Sequence, residues 1–195
     1  MRVVGTAFVI TMVIAIAAGQ DARIRREMRE APAQIASSAQ IAPADEPGEP
    51  MVIEGKVVGE DGKTPVAGVT VYAYHTDATG HYVKEPPGPG DPNFTPRLRA
   101  WVKTDGNGHF EWQTIRPAPY PSRNVPAHIH VTAWGAEYPV QWFEVQFAGD
   151  PLLEKQHFTD NTAEFLSVIP LEKQNGVWRG KVELRMRRES NFRNP

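Results

Sequence analysis

At 195 residues the chain is long enough for one domain with extensions and too short for two of full size. Lys and Arg number 21 against 23 Asp and Glu, which excludes the broad basic surface that nucleic-acid binding needs, so no nucleic-acid partner is expected. There is no cysteine, so a disulfide framework, a thiolate metal site and a lipid-modified thiol are excluded, and any metal must be held by His, Tyr, Asp or Glu.

Met1-Arg2 leads into an apolar run from Val3 to Ala18, and Ala15-Ile16-Ala17 suits a small-residue cleavage site. Residues 1–19 therefore read as an export signal, shorter than the ~20 apolar residues of a membrane span. Arg23, Arg25, Arg26 and Arg29 follow it, a basic flank that an uncleaved anchor would also carry, and this is the minority reading. The mature protein is expected in the periplasm or outside the cell, with no stable membrane insertion after cleavage. Residues 20–50 are rich in Ala, Pro, Glu, Gln and Ser and poor in large apolar side chains. Such a segment gains too little from burial to offset its ordering entropy, so it reads as a disordered N-terminal extension and flexible linker.

The folded domain is expected over 51–195. Met51 to Val58 and Val69 to Tyr74 are Val-, Ile- and Tyr-rich runs around a turn at Gly59-Glu60-Asp61-Gly62-Lys63-Thr64-Pro65. Ala100 to Lys103 and His109 to Thr114 flank Thr104-Asp105-Gly106-Asn107-Gly108, whose glycines suit a hairpin. Further strands are expected at Ala127 to Trp134, Gln141 to Phe147 and Val177 to Arg187. Short strands between Gly/Pro turns, with 18 Pro and 16 Gly, predict an all-β, antiparallel β-sandwich. The Pro- and Gly-dense stretch from Val83 to Pro96 has no strand signal, and a loop of that length is often functional.

Within the strand Ala127 to Trp134, His128 and His130 fall on one face because successive side chains alternate. Tyr120 stands shortly before them between two prolines, and Tyr82 follows Gly80-His81 after the strand ending at Tyr74. Phenolate is a hard oxygen ligand that suits a hard cation such as Fe(III), whereas zinc sites mostly use His, Cys and carboxylate. Each residue also has a plain structural reading: packing for Tyr82, a corner for Tyr120, a solvent-facing pair for His128 and His130. His75, His81 and His157 read as surface or loop histidines.

Taken in order, Gly80-His81-Tyr82, Asp91-Pro92-Asn93-Phe94, Thr104-Asp105-Gly106-Asn107-Gly108-His109-Phe110, Arg116-Pro117-Ala118-Pro119-Tyr120-Pro121, Pro126-Ala127-His128-Ile129-His130 and Phe147-Ala148-Gly149-Asp150-Pro151 resemble the intradiol ring-cleavage dioxygenases. The resemblance spans roughly Gly55 to Leu153 and implies a β-sandwich of the intradiol dioxygenase, prealbumin-like type. It implies non-haem Fe(III) held by Tyr82, Tyr120, His128 and His130, with Tyr120 the axial tyrosinate that leaves when substrate binds. It further implies a small aromatic diol and O2 as partners, a muconate-type diacid as product, and leaves a homo-oligomer open. Where the family has an arginine before the Pro-Ala-His-Ile-His motif this chain has Val125, so Arg123 and Arg99 are the candidates to replace it. The family's partnering glutamine falls at Glu144, and the tryptophan after the axial Tyr-Pro at Ser122. Two alternatives stand beside this reading: a metal-free transthyretin-like or carboxypeptidase-regulatory-like binding module, and an iron-binding member with lost or altered catalysis.

Overall fold

The computed structural model describes residues 26–83, 94–155 and 165–189. The proposed signal at 1–19, most of the loop from Val83 to Pro96, and His157 lie outside the described residues. Ten strands follow in chain order: β1 Ser38–Gln40, β2 Pro50–Val58, β3 Thr70–His75, β4 Leu98–Lys103, β5 His109–Ile115, β6 His128–Gly135, β7 Tyr138–Phe147, β8 Leu166–Ile169, β9 Glu172–Gln174 and β10 Val177–Arg185. They form two five-stranded sheets, β1-β5-β2-β10-β9 and β4-β3-β6-β7-β8. Every strand read from the sequence is present, each within a few residues of its expected bounds. Pairing is antiparallel except between β1 and β5, β2 and β10, and β7 and β8, so both sheets are mixed.

Alternation decides what lies between the sheets. Ile53 and Val57 of β2, Trp112 of β5 and Val182 and Leu184 of β10 face Val71 and Ala73 of β3, Ile129 and Val131 of β6 and Val145 and Phe147 of β7 in one buried cluster. Each large aliphatic or aromatic side chain sealed there contributes about 1.5–3 kcal/mol relative to exposure.

Within residues 26–50, composition misleads about order. Ser38–Gln40 pairs in parallel with Glu111–Gln113, and the next two residues, Ile41 and Ala42, are buried in the same core. A three-residue edge strand and two apolar side chains leave almost no compositional trace, yet they cover an edge and the rim of the core. The ordered domain therefore starts well before Met51. His75 is a second correction. It is fully buried between the sheets, its Nδ1 donating to the Thr76 carbonyl at 2.6 Å and its Nε2 accepting from Thr114 Oγ1 at 2.6 Å. As the inward residue of β3 it alternates with Tyr74, a position that the β-pattern marks but that its polarity obscured.

Candidate metal centre

The outer face of the second sheet carries Tyr72 and Tyr74 on β3, His128, His130 and Thr132 on β6, and Trp142, Glu144 and Gln146 on β7. Register sets them in rows: Arg99, Tyr74, His130, Glu144 and Leu166 stand side by side across five strands. In the next row His128 stands beside Gln146.

Two loops fold over this face. The first leaves β3 and turns at Asp77, whose Oδ1 accepts the amides of Thr79 at 2.8 Å and His81 at 3.1 Å. Burial works against the Asp77 charge, but bonds from Thr79 and His81 outweigh it, and the carboxyl titrates below its ordinary value. Gly80 sits at φ +85°, and a Cβ there would collide with the Pro119 carbonyl. That position needs glycine because the Tyr82 loop crosses the second loop, which runs from Arg116 to Pro126 and carries Tyr120. Thr76 Oγ1 donates to the Ala118 carbonyl at 2.7 Å and the Ala118 amide to the Asp77 carbonyl at 3.1 Å, which fastens the loops together.

The result is a convergence of four donor atoms. Tyr120 Oη lies 2.9 Å from His128 Nε2 and 3.3 Å from His130 Nε2. His130 Nε2 lies 2.9 Å from Tyr82 Oη and 3.1 Å from His128 Nε2, and the two phenol oxygens are in hydrogen-bond contact. His128 Nδ1 is 2.7 Å from the Pro126 carbonyl, which only accepts, so in the neutral ring the proton sits on Nδ1 and the Nε2 lone pair faces the other donors. Donors ~2 Å from one ion lie about 3 Å from each other, so these separations suit a single cation. Two imidazole nitrogens and two phenols brought together also suit one chemically, and phenolate favours a hard ion over a soft one.

Packing holds these donors in place. Tyr82 is 8% exposed and His128 5%, while Tyr120 is half-buried. Tyr74 stacks on His130 with ring centroids 4.7 Å apart and planes 18° apart, and Phe94 meets Tyr82 edge-on at 5.7 Å. Asp150 accepts the Ala127 amide on Oδ2 at 2.9 Å and the Leu152 amide on Oδ1 at 2.8 Å, which fixes the chain just before His128. The sequence reading gives Tyr74 and Gln146 no site role, and Asp150 enters it only within the Phe147 to Pro151 motif. The alternation Tyr72-x-Tyr74 beside His128-x-His130 was the signal available for the first of these.

The remaining sequence candidates divide. Glu144 has a carboxylate oxygen within 4.8 Å of the ring nitrogens of His128 and His130. Arg123 is exposed, with its guanidinium 5.9 Å from the Tyr120 ring centroid. Arg99 shares the row of His130 but is turned to Glu30 at 3.4 Å, the Pro96 carbonyl at 3.2 Å and the Trp101 ring. Glu30 belongs to the segment that composition marks as linker, so this engagement of Arg99 lay beyond the sequence pattern.

Residues 27–183 match the family model described as Dioxygenase. The chain is 34% identical over 151 residues to a catechol 1,2-dioxygenase of Acinetobacter lwoffii, covering 68% of this chain and 47% of that protein. It is 34% identical over 126 residues to the protocatechuate 3,4-dioxygenase beta chain of Burkholderia cepacia, covering 60% of this chain and 52% of that protein. It thus spans about half the length of these relatives. In fold it resembles the dioxygenase domain of a dioxygenase–carbohydrate-binding protein fusion from Streptomyces sp. SirexAA-E, with TM-score 0.60, 21% identity, and 79% and 90% of the two chains covered.

Proposed function

Since the chain belongs to the intradiol ring-cleavage dioxygenase family, we propose that it is a non-haem iron enzyme that opens a catecholic aromatic with O2 to a muconate-type diacid. The observation that supports this reading is the meeting of Tyr82, Tyr120, His128 and His130 at one point. These four residues would hold Fe(III), which supplies Lewis-acid activation and a template for the diol.

The chain's own groups then divide the work. His128 is oriented by the Pro126 carbonyl and His130 by the Tyr74 ring, so both imidazoles are set before substrate arrives. Tyr82 is buried under Phe94 and serves as the fixed phenol. Tyr120 is less buried and adjoins the exposed residues 121–124, which makes it the donor free to swing aside. Ionised to phenolate by the bound metal, its Oη would be the base placed to take a proton from an entering diol hydroxyl. The aromatic cover of Tyr72, Tyr74, Tyr82 and Phe94 limits water at this centre. The metal-free module would leave these four convergent donors without a task. Residues 1–19 stay in this reading as an export leader, on their apolar run alone.

The test is to load the full chain with ferric iron, record its visible absorption and follow oxygen uptake with catechol. A phenolate-to-iron band and catechol-dependent uptake are expected, and Tyr120→Phe should change the band. A protein that stays colourless in excess iron overturns the proposal. A coloured protein inert to catechols points to the iron-binding member with altered catalysis. The full chain is required because starting at Met51 removes β1 and the Ile41–Ala42 cover.

A further inference from the structure

Glu144 stands directly across from His130 in the β6–β7 register, and Gln146 across from His128. Gln146 is fully buried, and its Nε2 donates to Glu144 Oε1 at 2.7 Å. That bond holds a carboxylate within 4.8 Å of both ring nitrogens, beside the space that any diol oxygen must reach. Among the described residues, the nearby cations are engaged elsewhere. Arg97 is bonded to both carboxylate oxygens of Glu46 and lies 3.8 Å from Asp77, and Arg99 is turned to Glu30. Arg123 is exposed, where water and salt screen it.

We propose that Glu144 sets the charge class of the substrate, so that the centre takes uncharged or cationic aromatic diols and turns away diols that carry a carboxylate. The inference rests on the diol-cleaving reading above. A diol anchored by its two oxygens at this centre holds a ring carboxylate within roughly 10 Å of Glu144. Two like charges at that separation, in the effective dielectric of a partly buried site, weaken binding by about tenfold to a hundredfold. A cationic side chain on the same ring gains where the carboxylate loses. The relatives act on both kinds of diol: catechol has no ionised substituent, and protocatechuate carries a carboxylate. Glu144 places this chain on the side of catechol.

The experiment measures equilibrium binding, not turnover. Full-length, iron-loaded protein is titrated without oxygen with catechol, protocatechuate and dopamine, following visible absorption. Protocatechuate is expected to bind at least about tenfold more weakly than catechol, and dopamine as tightly or more tightly. Glu144→Gln should narrow the protocatechuate-to-catechol ratio of Kd by about tenfold. As a measurement that needs no variant, raising the salt concentration should narrow the same ratio in the unaltered protein. Equal binding of catechol and protocatechuate, or a ratio indifferent to both Glu144→Gln and salt, overturns the inference and leaves the diol-cleaving reading intact. If none of the three diols binds, that reading falls and the inference with it.

Discussion

The outer faces of the two sheets begin from the same alternation and end as different chemical environments. On β2 and β10 the outward residues include Glu54, Lys56, Lys181 and Glu183, and Lys181 pairs with Glu54 at 3.0 Å on the exposed surface. On β3 and β6 they include Tyr72, Tyr74, His128, His130 and Thr132, all of them buried except the partly exposed His130. The difference is the cover. Two loops cross the second sheet and none of the described segments closes the first in that way. A polar residue on a bare face is solvated and nearly neutral in energy, whereas the same residue under a loop must find partners. Histidines and tyrosines on the covered face answer that demand by meeting one another.

The largest way to break this comparison is at the convergent donors. His128→Ala should lower ferric-iron affinity by at least about a hundredfold, beyond the tenfold to hundredfold typical of outer-shell changes, while the far-ultraviolet spectrum stays that of a β-protein. Iron retained at full stoichiometry would show that the donors do not act together.

The next effect is acid stability, carried by the buried inner face of the same sheet. Burial holds the His75 imidazole down to about 4, from an ordinary 6.5. Above pH 6.5 both folded and unfolded chains are neutral there and the full stability is present. As pH falls from about 6.5 towards 4 the unfolded chain takes up a proton that the folded one refuses, and stability is lost at up to ~1.4 kcal/mol per pH unit, roughly 3 kcal/mol in all. Urea unfolding across that window checks it, and a His75→Leu protein with an unaltered slope would refute the assignment.

A smaller change is expected from Asp150→Ala. It strips the partner from the buried Ala127 amide, at about 1–3 kcal/mol, and loosens the approach to His128. Thermal unfolding reads the first effect and a broadened visible iron band the second. Smallest of all is Lys181→Ala on the bare face, expected to cost under about 1 kcal/mol in urea unfolding. A large loss there would erase the contrast between the faces.

Much of the fold was legible because β-structure writes itself in alternation and turn chemistry. The Val- and Ile-rich run Met51 to Val58 reads as a strand, and Asp105-Gly106-Asn107-Gly108 between two apolar runs reads as a hairpin turn. The four donors were legible as types in a motif order. Two elements were not. Ser38–Gln40 is a strand only because β5 offers it an edge, a condition outside its own composition. His75 looks polar and local, yet it spans the sheets because Thr114 waits on the opposite strand.

The sequence by itself determined that His128 and His130 share a face, since the period of a strand is local geometry. It also determined which residues can ligate at all, with no cysteine among them. Only the tertiary structure decided that Tyr82 and Tyr120 reach that face, that Arg99 is drawn off to Glu30, and that Gln146 holds Glu144 beside the histidines. Those outcomes depend on loops crossing and strands pairing across distant chain positions, and local sequence pattern does not carry such separations.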